Sequence, residues 1–170
     1  MSEPEQTDSD AVDADATREA ETPTALSSAQ ESVVERLAEY DAVLEVGIGR
    51  RPGVARALVS RNVNVQAVDV YDQSVPDCID FVQDDVVERA ARLEETLHTE
   101  QVGENAPTAS FRVDAIYALN LPPELQQPAL QIARSVDAAF LFTTLGGDPA
   151  TVPTRTEPVG YDSLYVAREG

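Results

Sequence analysis

Residues 43–53 read V-L-E-V-G-I-G-R-R-P-G. A short apolar run carries an acid, Glu45. Glycines follow at alternate positions, Gly47 and Gly49, and Pro52 then opens a helical pattern. Strand, glycine turn and helix start in that order predict a seat for a nucleoside-type ligand. The first N–H groups of a helix have no partner inside it, and the helix dipole adds about half a positive charge there. Glycine lets the backbone turn sharply and approach the ligand closely.

The pattern extends outward from this stretch. Residues 42–46 read as a buried strand, and Val54, Ala57 and Leu58 give the next helix its apolar face, ending near Arg61 and Asn62. Pro52 suits the first helical position, where a missing N–H costs nothing. Residues 63–69 form a second strand with Asp69 at its tip, and residues 79–82 a short third strand. Asp84 or Asp85 caps a helix carrying Val86, Val87, Ala90, Leu93 and Leu97 at helical spacing. A polar loop spans 99–110, a fourth strand 113–119, and Pro122-Pro123 open a helix to about residue 135. The apolar fifth strand, 137–144, reads as buried on both faces. After Gly146-Gly147-Asp148-Pro149, residues 152–157 and 163–167 read as a hairpin around Pro-Val-Gly-Tyr-Asp. Upstream, Val33, Val34 and Leu37 predict a helix to about Tyr40.

Strands alternating with helices predict an α/β fold: a three-layer αβα, Rossmann-like, doubly wound and mostly parallel sheet with a C-terminal hairpin. Ligands of such sheets bind beyond the carboxyl ends of the strands, where strand order reverses. That criterion alone marks Glu45 to Gly53, Asp69, Asp84, Asp85 and Asn120 as one rim.

Composition sets the limits. The 170 residues suffice for one domain, expected over 29–170, with residues 1–28 as a disordered acidic tail too poor in large apolar side chains to offset ordering entropy. The one cysteine, Cys78, forbids an internal disulfide and a multi-cysteine zinc site. His98 is equally alone, so no metal site is expected. No apolar run approaches a membrane span, and the N-terminus is acidic where a secretory signal is basic, so the expected location is cytoplasmic with no membrane partner. Acids outnumber bases 31 to 12, every base is arginine and lysine is absent. Such a surface does not support a nucleic-acid partner, since phosphate contacts need clustered cations. It matches adaptation to molar salt, where a Debye length of about 3 Å screens repulsion, and there a nucleic-acid partner is not excluded by charge.

The acid–x–Gly–x–Gly of Glu45, Gly47 and Gly49 resembles the first motif of Rossmann-type methyltransferases that use S-adenosylmethionine. That resemblance implies that Asp69 holds the ribose hydroxyls and that Asp84, or alternatively Asp85, meets the adenine amine. Asn120-Leu121-Pro122-Pro123 resembles the Asn-Pro-Pro-aromatic motif of enzymes that methylate planar amines, which implies Asn120 as the catalytic candidate. Here a leucine intervenes and Glu124 stands where the aromatic belongs, so base stacking is not supported. Arg51 stands where a third glycine is common. Over nearly the whole domain the chain is similar to a small uncharacterised archaeal family, of haloarchaeal type, with a methyltransferase-like fold. V-L-E-V-G-I-G-R-R, Y-A-L-N-L-P-P-E-L and A-A-F-L-F-T-T-L-G-G-D carry this likeness. Membership implies the fold and supplies no reaction.

Each candidate has a competing role. Arg50 or Arg51 offers a planar fork of donors to the cofactor's carboxylate. Asp69 lies 20 residues after Gly49, a spacing that suits ribose recognition in a methyltransferase or an NAD(P)-binding site. Asp84 and Asp85 serve as helix caps in the competing reading, and Asn120 as a cap before Pro122. Gly146-Gly147-Asp148 reads first as a turn needing glycine angles. The leading expectation is an S-adenosylmethionine-binding, methyltransferase-like domain on an unknown substrate. An NAD(P)-binding or sensor domain is the alternative, but Pro52 occupies the place of the glycine that packs helix on strand. A non-catalytic, partner-binding module is the other, favoured by the lack of room for a helix between the fifth strand and the hairpin.

Overall fold

A computed structural model describes residues 25–98 and 111–170. Residues 1–24 of the expected acidic tail and the polar loop at 99–110 lie outside them, as do the side chains of residues 96–98. The elements run α1 (Ser28–Leu37), β1 (Ala42–Val46), α2 (Gly53–Val59), β2 (Asn64–Asp69), β3 (Asp80–Gln83), α3 (Val86–His98), β4 (Ala115–Ala118), α4 (Pro123–Ser135), β5 (Ala139–Phe142), β6 (Arg155–Val159) and β7 (Asp162–Arg168). One seven-stranded sheet takes the order β3-β2-β1-β4-β5-β7-β6. Strands β1 to β5 are parallel, and β7 joins β5 antiparallel. The chain winds outward from β1 to β3, then returns to β4 on the other side of β1. The reversal of order therefore falls between β1 and β4, the place beyond whose strand ends such sheets bind ligands.

Successive residues of a strand face opposite sides, and both sides of this sheet are buried. Val43, Ala67, Tyr117 and Leu141 meet α1 and α2 on one face, with Val33, Leu37, Val54 and Leu58 among the contacts. Leu44, Val46, Ile116 and Phe140 meet α3 and α4 on the other, with Leu93, Leu130 and Ala133. Ser27 starts α1 with a reciprocal capping box: its hydroxyl accepts from the Gln30 amide while the Gln30 side chain accepts from its own. Among the described residues no helix is long and apolar enough to cross a membrane.

The boundaries differ from expectation in physical ways. Pro52 precedes α2 as its cap rather than opening it (φ −75°, ψ 38°), and the helix stops at Val59. The Ser60 hydroxyl bonds back to the Arg56 carbonyl, and Asn62 turns left-handed at φ 64°. The hairpin shifts: β6 runs through Pro158, so the turn shrinks to Gly160-Tyr161 with Gly160 at φ 62°. Pro158 is tolerated because β6 is the outermost strand. Val152 packs instead into the α3–α4 face. Asn120 does not cap α4: Pro122 holds that position and no side chain bonds to the helix start.

Candidate functional site

The turn after β1 is held open by two left-handed glycines, Gly47 at φ 74° and Gly49 at φ 56°. Its amides are tied to the neighbouring strand. Gly47 N–H donates to the Val68 carbonyl at 2.7 Å, and Gly49 N–H donates to Asp69 Oδ2 at 3.0 Å. Asp69 Oδ1 accepts from Tyr71 N–H at 3.0 Å. The carboxylate at the tip of β2 therefore faces the glycine turn with both oxygens fixed. Each oxygen keeps a further lone pair for an outside donor such as a hydroxyl.

Beside this turn a cleft of about 190 Å³ opens, lined by Gly47, Asp69, Val70, Asp84, Asp85 and Val87 with Val46, Val68, Val86 and Leu125. Its floor is the last turn of β1 and β2, and its far wall the start of α3. Pockets that enclose a drug-sized ligand measure about 300–1,000 Å³. This one is smaller than that range. Val70 and Val87, both in its lining, are exposed and apolar.

The two acids after β3 play different parts. Asp84 accepts from Arg89 Nε and, at 3.2 Å, from Arg92 Nη2, and takes the Asp85 amide at 2.9 Å. Arg89 also stacks 4.4 Å over the Phe111 ring. Asp85 caps α3: its Oδ1 accepts from Val87 N–H at 2.8 Å and Glu88 N–H at 3.4 Å. Its Oδ2 has no partner among the described residues. A donor entering the cleft meets no competing arginine at that oxygen, whereas at Asp84 it meets two.

Glu45 lies apart from the cleft. Its side chain is 2 % exposed, on the α1–α2 face, and Tyr117 Oη donates to Glu45 Oε2 at 2.7 Å. The two residues are direct register partners on β1 and β4. Burial pushes the Glu45 carboxyl up to about 7, the phenol hydrogen bond drawing it partly back. Burial also raises the Tyr117 phenol well above its ordinary range, with the Glu45 charge adding to it. Arg51 is exposed, and neither Arg50 nor Arg51 makes an ion pair among the described residues.

Asn120 sits just beyond β4, exposed and left-handed at φ 54°. Its amide donates to Thr143 Oγ1 at 2.9 Å. The structure thus gathers Gly47, Asp69, Asp84 and Asp85 around one cleft, leaves Arg51 and Asn120 on the rim outside its lining, and sinks Glu45 beneath the turn. Among the described residues no group of three or more His, Cys, Asp or Glu side chains is arranged to hold a metal. Tyr117, Arg89 and Thr143 went unmarked at the level of sequence. Strand order would have exposed Tyr117, since it faces Glu45 only because β4 lies next to β1.

The model of the uncharacterised protein family UPF0146 matches residues 28–99 and 107–169. Two UPF0146 proteins of Halobacterium salinarum strains are each 40% identical over 134 residues, covering 78% of this chain and 92% of theirs. A UPF0146 protein of Archaeoglobus fulgidus is 33% identical over 106 residues, covering 62% of this chain and 69% of its own. Among solved structures, human N-acetylserotonin methyltransferase in complex with S-adenosylmethionine superposes with a TM-score of 0.52 at 12% identity over 83% of this chain. The chain spans about half of that protein's length, 52%. A candidate methyltransferase of Escherichia coli, yhhF, gives 0.51 at 11% identity, covering 83% of this chain and 84% of its own. At such identities the likeness concerns the fold, which is Rossmann-like and of methyltransferase type.

Proposed function

We propose that this chain, which belongs to the uncharacterised protein family UPF0146, is an S-adenosylmethionine-binding domain of methyltransferase type. The observation that carries the reading is the Asp69 carboxylate, fixed against the glycine turn at the edge of an apolar cleft. Its free lone pairs suit the two ribose hydroxyls. The adenine ring then lies between Val70 and Val87, with its amine toward Asp85 Oδ2 or, less freely, Asp84. The methionine end runs past Gly47 and Gly49 to the guanidinium of Arg51, which has no ion-pair partner among the described residues and pairs with its carboxylate. Glu45 supports the turn from below and does not touch the ligand. Asn120 stands beyond β4 where the transferred group would face a substrate.

When bound, S-adenosylmethionine supplies an electrophilic methyl group. The chain's own part is to hold it in line with a nucleophile, which positioning alone accelerates strongly. The rim acids Asp69, Asp84 and Asp85 are assigned to the cofactor's ribose and adenine and none is assigned to the substrate, so among the described residues the reading favours a substrate that needs no deprotonation, or a partner protein that completes the site. The lysine-free acidic composition supports a protein working in concentrated salt.

An NAD(P) site also uses a glycine turn and an acid after the second strand. The antiparallel β7 between β5 and β6 departs from the 3-2-1-4-5-6 parallel sheet, and the overall fold is similar to that of methyltransferases, which favours the first reading. Calorimetric titration in high salt with S-adenosylmethionine, S-adenosylhomocysteine, NAD and NADP tests it. Heat with the first pair alone is expected. Heat with the second pair alone selects the NAD(P) domain, and no heat with any selects a partner-binding module.

A further inference from the structure

Seven described residues have a left-handed backbone: Gly47, Gly49, Gly146, Gly160, Asn62, Asn120 and Asp137. Four are glycine, which adopts that region freely. Asn62 and Asp137 follow the ends of α2 and α4, where a left-handed residue is an ordinary helix stop. Asn120 follows a strand and precedes a helix, so no such motif accounts for it. A left-handed non-glycine residue persists only where its surroundings hold it, and such residues gather at working sites.

What holds it is Thr143, the first residue past β5. Thr143 N–H donates to the Ala118 carbonyl at 3.0 Å, and its carbonyl accepts from Leu121 N–H at 2.8 Å. These two bonds prolong the β4–β5 ladder around the turn. The peptide between them, Asn120 N–H, is swung out of the ladder by the positive φ and finds no backbone acceptor. The Thr143 hydroxyl takes it instead, at 2.9 Å, and Thr143 is itself 6 % exposed. The side chain of Asn120, by contrast, bonds to nothing among the described residues and stands in solvent at the reversal between β1 and β4. A threonine here thus fixes the backbone while leaving the amide group of Asn120 free.

We propose that Thr143 is a positioning residue: through its hydroxyl it holds the left-handed turn that presents the Asn120 amide to the reacting end of the cofactor. The inference rests on the reading of the rim as an S-adenosylmethionine site. A free carboxamide oxygen there faces the sulfonium methyl, which is polarised and carries positive charge in S-adenosylmethionine and is missing from S-adenosylhomocysteine. Its loss weakens the first ligand and spares the second.

The test is a double-mutant cycle on Thr143→Val and Asn120→Ala, read as the ratio of calorimetric affinities for S-adenosylmethionine and S-adenosylhomocysteine in high salt. Each single substitution is expected to lower the ratio about three- to five-fold, the size of one weak contact. The double variant lowers it no further, and Thr143→Ser, which keeps the hydroxyl, restores it. A wild-type ratio in Thr143→Val, or an effect that persists undiminished in the Asn120→Ala background, overturns the positioning role alone. Wild-type protein that binds neither ligand overturns the cofactor reading and this role with it. Should Thr143→Val not fold, Thr143→Ala takes its place, and failure of both variants to fold makes Thr143 a stability residue only and overturns the proposal.

Discussion

Replacing Glu45 by glutamine should abolish a pH dependence of stability that the wild-type chain shows between about pH 5 and 8. Among the described residues Glu45 is the one acid in the buried set, and its carboxyl rises from 4.5 to about 7 because burial penalises the charged form. The folded state therefore holds a proton that the unfolded chain has already released. Stability is full below about pH 4.5 and is lost as pH climbs through about 7, opposite to the usual paired carboxylate. The displacement corresponds to about 3 kcal/mol. Wild type and Glu45→Gln share every other titrating group, so the difference between their two curves isolates this one. The substituted carboxamide would still accept the Tyr117 hydroxyl but could not ionise. Urea unfolding in molar salt at half-unit steps of pH is the assay, with the midpoint and slope fitted together. Wild type should lose about 3 kcal/mol across the window while Glu45→Gln stays within about 0.5 kcal/mol, the scatter of such comparisons. Equal slopes for the two proteins would refute the assignment of the buried proton to Glu45.

Asp69→Asn should weaken S-adenosylhomocysteine binding about ten-fold or more, the loss of charge-assisted bonds to two hydroxyls, with calorimetry as the check. Arg51→Ala should weaken S-adenosylmethionine about ten-fold yet leave 5′-methylthioadenosine, which lacks the amino-acid end, unchanged; an equal loss for both would remove the carboxylate clamp. Gly49→Ala places a Cβ on a residue at φ 56° and should cost about 1–2 kcal/mol in chemical unfolding. Arg89→Ala removes the guanidinium paired with Asp84, 12 % and 15 % exposed, and stacked on Phe111; a loss of about 1–2 kcal/mol in thermal unfolding is expected.

Local chemistry made much of this legible in the chain. The bounds of β1 were readable to the residue because Asp41 and Gly47 bracket an apolar run, and the start of α4 to within one residue because Pro122-Pro123 suit the first positions of a helix. Strand tips located Asp69, Asp84 and Asp85 without knowledge of strand order. What stayed hidden depends on elements meeting in space. The Glu45–Tyr117 bond links residues 72 apart through a sheet neighbour, and Thr143 reaches Asn120 across 23. Arg89 and Arg92 close on Asp84 from one helix face, but Asp84 precedes that helix, so helical spacing did not pair them. Pro158 misled for another reason: proline signals a turn unless the strand is outermost, and the order β7-β6 is fixed only in the assembled sheet.

That same proline bears on how copies of the chain keep apart. Concentrated electrolyte all but removes the repulsion between acidic molecules beyond about 3 Å, so charge cannot police self-association there. An exposed sheet border would then be a template for stacking one molecule onto the next. On one border Pro158 withholds a donor within β6, and on the other β3 has only four residues. Both margins are thus poor partners for a fifth or sixth consecutive ladder bond. In such a medium the form of the sheet's margins, not the sign of charge, would be what limits stacking.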